Sequence, residues 1–167
     1  MNSSLLDFYR GGPDDEGRTL EEILAWPDEK LEAVHDFIQW LFPLPERSGA
    51  NPDAPVLDAT AINAFRASSD LQDRLRQSFL RMLRFYGLVF AEGAVQRAAN
   101  FTARSLNWFS PGNHNHLRLT RMLRSLRLLG LEAESEALFH ALSEIYRAQP
   151  GGITQRTYQF WKDAVSS

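Results

Sequence analysis

Residues 113–130 read NHNHLRLTRMLRSLRLLG, a helix marked at both of its ends. Asn113 and Asn115 offer N-cap oxygens at one end, and Gly130 offers a left-handed stop at the other. Between them Leu117, Leu119, Met122, Leu123, Leu126, Leu128 and Leu129 recur at helical spacing, so apolar side chains cover much of the circumference. A helix over about 114–129 that is apolar on so many sides needs neighbours on several sides. Arg118, Arg121, Arg124 and Arg127 recur every three residues, a stripe that drifts slowly round the same helix.

Working outward, the same periodicity and punctuation recur. Toward the C-terminus, 132–148 and 154–164 read as helices separated by Pro150-Gly151-Gly152, with Thr154 as a cap. Toward the N-terminus, Asn100 caps a short helix through Trp108. Ser68 or Ser69 starts a longer one over 69–86, which carries Leu71, Leu75, Phe79, Met82, Leu83 and Tyr86 inward and stops at Gly87. Asp58 caps another with Ile62 and Phe65. Residues 43–57, with four prolines, form a long loop, and Pro43 and Pro45 end a helix predicted over 28–41. Thr19-x-x-Glu22 is a capping box for a helix ending near Trp26. Residues 88–99 read either as a small hairpin turning at Glu92-Gly93 or as coil. Residues 1–18 are polar and rich in Gly and Pro, a loose lead-in from which Leu5, Leu6, Phe8 and Tyr9 are free to dock. The expectation is an all-α fold: one compact domain over 19–167 with six to eight helices and at most one hairpin near 88–95.

With 167 residues and no cysteine, the chain has the size of a single domain without disulfides, Cys-based zinc or thiol catalysis. No stretch reaches the roughly 20 apolar residues of a membrane span, and the N-terminus lacks a basic, apolar leader, which points to the cytoplasm. The net charge of −3 hides a strong asymmetry. Residues 1–65 carry net −9, residues 66–127 net +8, and residues 128–167 net −2. The Arg-rich middle can pair with the acidic third or face an anionic partner.

Candidate chemistry is sparse. His114-Asn115-His116 offers two imidazoles and an amide, but residues two apart on a helix point about 200° from each other, unlike the i, i+4 pair of HExxH. No metal site and no cofactor is therefore expected, and the trio reads as a helix start. There is no GxSxG elbow, phosphate-binding loop or GxGxxG, so no enzyme is expected. Nucleic acid is disfavoured by the net negative charge and by an Arg stripe without interleaved aromatics. In 37–43 (FIQWLFP), helical spacing makes most of the aromatics core; Trp40 and Phe42 sit at the helix end beside the proline loop, where one of the two is placed to line a groove, and Gln39 is expected either exposed or hydrogen-bonded to that loop.

The string His35–Phe65 (HDFIQWLFPLPERSGANPDAPVLDATAINAF), with Ser78–Leu88 (SFLRMLRFYGL) and Asn113–Ser135, resembles the conserved domain of the opioid growth factor receptor family in order and spacing. The resemblance runs over roughly 5–147. It implies an all-helical, non-catalytic domain and, for animal members, binding of an enkephalin-type opioid peptide, association with the nucleus and nuclear membrane, and growth inhibition. The chain lacks a long polar tail and a basic localisation cluster, so it is expected to be the domain alone, of bacterial type. The matched positions Gln39, Trp40, His114, Asn115, His116, Arg118 and Arg121 are the candidate binding residues, with a peptide or protein as the partner.

Overall fold

The computed structural model describes residues 3–166, and among them ten helices and one two-stranded sheet make a mostly helical protein. Two more helices form than the punctuation marks predict. One arises within the lead-in, and the other arises because the stretch 28–41 divides. The chain separates into two compact units, Met1–Ser78 and Phe79–Ser167.

In the first unit, α1 (Ser3–Tyr9) corrects the loose reading of the N-terminus, because Leu5, Phe8 and Tyr9 are fully buried. The Tyr9 hydroxyl donates to the Leu41 carbonyl at 2.5 Å and meets the Ser78 hydroxyl at 2.9 Å, and its ring packs edge-on against Phe65. Burial raises the Tyr9 pKa far above its ordinary value, against a small opposing effect of the Ser78 bond. The Gly/Pro-rich turn that follows is organised by Asp14. One carboxylate oxygen accepts the Glu16 and Arg18 amides, and the other accepts from the Arg18 guanidinium, which also reaches Asp36 at 2.8 Å. Burial alone would lower the Arg18 pKa; the bonds to Asp36 and Asp14 outweigh it and leave the pKa raised.

The predicted capping box holds at α2 (Leu20–Leu24), where Thr19 and Glu22 cap reciprocally. The continuous helix over 28–41 does not form. It separates into α3 (Asp28–Ala33) and α4 (Ile38–Leu41), with Val34 extended at φ −93° and ψ 130°. Val34, His35 and Asp36 are weak helix formers, and the Asp36 carboxylate is drawn to Arg18. Asp58 caps α5 (Ala59–Ala67) through the Ala61 amide, and the Ser68 hydroxyl accepts the Leu71 amide at the start of α6 (Ser69–Tyr86).

The last eight residues of α6 belong to the second unit. Gly87, at φ +79°, turns the chain into a hairpin, β1 (Leu88–Ala91) and β2 (Ala94–Arg97). Glu92 and Gly93, at φ 54° and 77°, make the two-residue turn that favours the hairpin over coil. After α7 (Phe101–Ser105) come α8 (His114–Leu128), α9 (Glu132–Ala148) and α10 (Gln155–Ala164), which pack on one another. Their interior holds Leu119, Met122, Leu123, Leu126, Leu138, Leu142, Ile145 and Trp161.

Candidate functional site

The first turn of α8 is the most heavily bonded part of the second unit. Asn113 caps it: its side-chain oxygen accepts the Asn115 amide at 2.9 Å, and its amide nitrogen donates to the Asn107 carbonyl at 3.2 Å. Asn115 and His116 are buried. The Tyr86 hydroxyl donates to the Asn115 carbonyl at 3.3 Å, and the Trp108 indole donates back to the Tyr86 carbonyl at 3.1 Å. His116 Nε2 lies 2.8 Å from the Trp108 carbonyl, which accepts, so Nε2 carries the proton. The His116 carbonyl in turn accepts from the Trp161 indole at 3.1 Å and the Thr120 hydroxyl at 3.0 Å. The His116 ring packs edge-on against Trp108 and Trp161. Its Nδ1 is buried and meets no partner among the described residues. Burial lowers the His116 pKa, the Trp108 bond opposes this, and nearby His114 adds to it. Asn115 and His116 thus build the joint that fastens α6, the loop before α8, and α10.

Two of the C-terminal carbonyls of α6, which have no partner within the helix, are closed by side chains. Arg104 Nε donates to the Phe85 carbonyl at 2.9 Å, with its guanidinium over the Phe85 ring, and Trp108 takes the Tyr86 carbonyl.

The remaining α8 candidates divide between the interior and the surface. Arg118 is buried and places Nη1 3.5 Å from the Asn115 side-chain oxygen. Arg121 is half-buried, and burial pushes its pKa down to about 10. His114 is exposed, and so is Leu117, at 68%. Leu117 counts as an inward position by hydrophobic spacing, but it faces outward because α9 and α10 cover other sides of α8. His114, Leu117 and Arg121, spaced three and four apart, share one face of the helix.

Gln39 and Trp40 lie in the first unit, both buried on α4. The Asn51 amide nitrogen reaches the Gln39 side-chain oxygen at 3.5 Å and the Asp36 carbonyl at 3.4 Å, tying the proline loop to the helix end. Trp40 packs on Phe8 at 5.3 Å, and its indole nitrogen is buried without a partner among the described residues.

Several arginines of the basic middle are engaged locally. Arg76 pairs with Asp73 at 2.9 Å, Arg97 lies over the Phe101 ring, and Arg104 is held as described. Among the described residues no cluster of three or more His, Asp or Glu side chains is arranged to hold a metal ion, and no helix is long and apolar enough to cross a membrane.

Sequence comparison bears directly on this arrangement. The profile of the opioid growth factor receptor conserved region matches residues 4–166. The opioid growth factor receptor of Homo sapiens is 38% identical over 174 residues, covering 96% of this chain and 25% of its own length. That of Mus musculus is 43% identical over 122 residues, covering 70% of this chain and 19% of its own. The opioid growth factor receptor-like protein 1 of Mus musculus is 39% identical over 139 residues, covering 78% and 29%. No solved structure matches. The chain spans less than a third of the length of these relatives. The match nevertheless includes the capped, doubly anchored first turn of α8, and the chain belongs to the opioid growth factor receptor conserved-region family.

Proposed function

We propose that this chain is a non-catalytic recognition domain for a peptide, with the outward face of α8 as its contact. The observation that carries this reading is the alignment of exposed His114, exposed Leu117 and half-buried Arg121 on one helix face. An apolar side chain takes an aromatic or aliphatic peptide residue. A partly desolvated guanidinium takes a carboxylate more strongly than one in bulk water, since the local dielectric is lower. His114 supplies an orienting hydrogen bond. Asn115, His116 and Arg118 hold this face in place from beneath. The names of the relatives support a receptor-type role. The local engagement of Arg76, Arg97 and Arg104 favours a peptide or protein partner over nucleic acid.

Calorimetry with an enkephalin-type opioid peptide bearing a free C-terminal carboxylate tests the reading. Arg121→Gln is expected to weaken binding about tenfold, roughly 1.4 kcal/mol, and amidation of the peptide should have the same effect on the wild type. Equal affinities for wild type and variant refute it.

A further inference from the structure

The hairpin and α9 enclose a second feature, well apart in sequence from the α8 face. A cleft of about 360 Å³ is lined by Gly93, Ala94, Val95 and Gln96 of the hairpin and by Ala137, His140, Ala141 and Glu144 of α9. Four consecutive hairpin residues line it, so the cleft borders the strand's edge as well as its face. The helix contributes the stripe i, i+3, i+4, i+7.

The hairpin register shows what that edge presents. The Ala98 amide donates to the Gly87 carbonyl, so 87 and 98 are a hydrogen-bonded pair. Antiparallel pairs alternate, which makes Val89↔Gln96 and Ala91↔Ala94 hydrogen-bonded and Phe90↔Val95 and Leu88↔Arg97 not. The amides and carbonyls of Val95 and Arg97 therefore point away from β1, along the outer edge of β2. They are two residues apart, about 7 Å. The sheet has two strands, and no other described strand pairs with this edge. Around it stand three polar side chains, Gln96, His140 and Glu144. All three are exposed, and none makes a hydrogen bond or ion pair with another described residue. Glu144 is the one carboxylate of the lining.

We propose that this cleft takes an extended segment of a partner protein, which adds as a third strand to β2. Its main chain pairs with Val95 and Arg97. Its side chains toward α9 are small, since they face Ala94, Ala137 and Ala141, and a lysine or arginine lies at the Glu144 end. Main-chain pairing provides the affinity, and the helix stripe provides the selectivity. The site involves neither Arg121 nor the other α8 positions, so it stands or falls independently of the reading above.

The test is selection of a random heptapeptide phage library on the intact chain, followed by fluorescence polarisation with the enriched peptides. The variants follow from the register. Arg97→Pro removes an outward N–H without touching the β1 ladder, while Arg97→Ala keeps that N–H. Peptides carrying a Lys or Arg are expected, with binding at least tenfold weaker to Arg97→Pro, little changed by Arg97→Ala, and at least fivefold weaker to Glu144→Lys. Should Arg97→Pro fail to fold, N-methylation at alternate peptide residues provides the same readout, one register losing binding and the other keeping it. No enrichment overturns the proposal, as do enriched peptides indifferent to Arg97→Pro and Glu144→Lys. Sensitivity to Arg121→Gln alone would send those peptides to the α8 face instead and overturn it too. A concentration-dependent dimer that Arg97→Pro abolishes would assign the edge to a second copy of this chain and equally overturn it.

Discussion

Replacing His116 by glutamine separates the imidazole's bond from its proton. Nε2–H donates to the Trp108 carbonyl at 2.8 Å, and Nδ1 is buried with no partner among the described residues, so a second proton would sit uncompensated between two indoles. Burial therefore holds the folded-state pKa below the unfolded value of about 6.5. The unfolded chain takes the proton more readily. His116 thus leaves stability intact above about pH 6.5 and subtracts from it as pH falls from there toward the lower folded-state pKa. The slope is at most about 1.4 kcal/mol per pH unit, so one unit below the unfolded value the loss approaches about 1.4 kcal/mol. In His116→Gln the new side chain offers an amide donor to the same carbonyl and does not titrate. The substitution should cost about 1–2 kcal/mol at pH 7.5 through lost ring packing. Urea denaturation of both proteins at pH 7.5 and 5.5 measures the difference. His35, His114 and His140 are common to both and cancel. The gap between wild type and variant should narrow by about 1 kcal/mol at the lower pH. Parallel profiles would refute the view that an uncharged His116 anchors the α8 joint.

Three further substitutions probe the two units. Tyr9→Phe deletes a fully buried hydroxyl that bonds Leu41 and Ser78, and chemical denaturation should register a loss of about 1–3 kcal/mol. Gly87→Ala forces φ +79° on alanine and places its Cβ 2.8 Å from Arg104 Cβ and 2.9 Å from Phe101 Cα; a loss of about 2–4 kcal/mol, read as a lower Tm, is expected. Asp14→Asn weakens the hold on Arg18 and on two loop amides, so proteolysis within residues 10–18 should accelerate while the far-UV circular dichroism of the remaining helices persists.

The helix punctuation was legible because capping is local. Thr19, Asp58, Asn113 and Thr154 each present an oxygen to an amide two or three residues on, and each does so in the structure. Gly87 was legible as a stop for the same reason, whereas 88–99 stayed open between hairpin and coil until the strands were seen to pair. The division of 28–41 was not legible; the Asp36 bond to Arg18 that accompanies it spans 18 residues, which no window of periodicity contains. In residues 1–18 the docking of Leu5, Phe8 and Tyr9 was legible as apolar side chains in a polar stretch, but the helix that carries them and the turn that Asp14 satisfies were not. Among the candidate site residues, HNH was legible as a helix start. What it fastens was not, because its partners, the donors Tyr86 and Trp161 and the acceptor carbonyl of Trp108, lie up to 45 residues away. Leu117 shows the limit of hydrophobic spacing: a helix rich in leucine does not reveal which leucine its neighbours leave uncovered.

The joint at the start of α8 also sets where substitutions are tolerated. Its acceptors at 115 and 116 are main-chain carbonyls, which every amino acid possesses. Those two bonds survive a change of side chain at either position as long as the helix forms. Tyr86→Phe and Trp161→Phe, by contrast, each delete one outright. The main-chain part of the address that docks α6 and α10 onto α8 is therefore written in the distant donors, while the His116 side chain adds its own bond to Trp108 and its packing on Trp161.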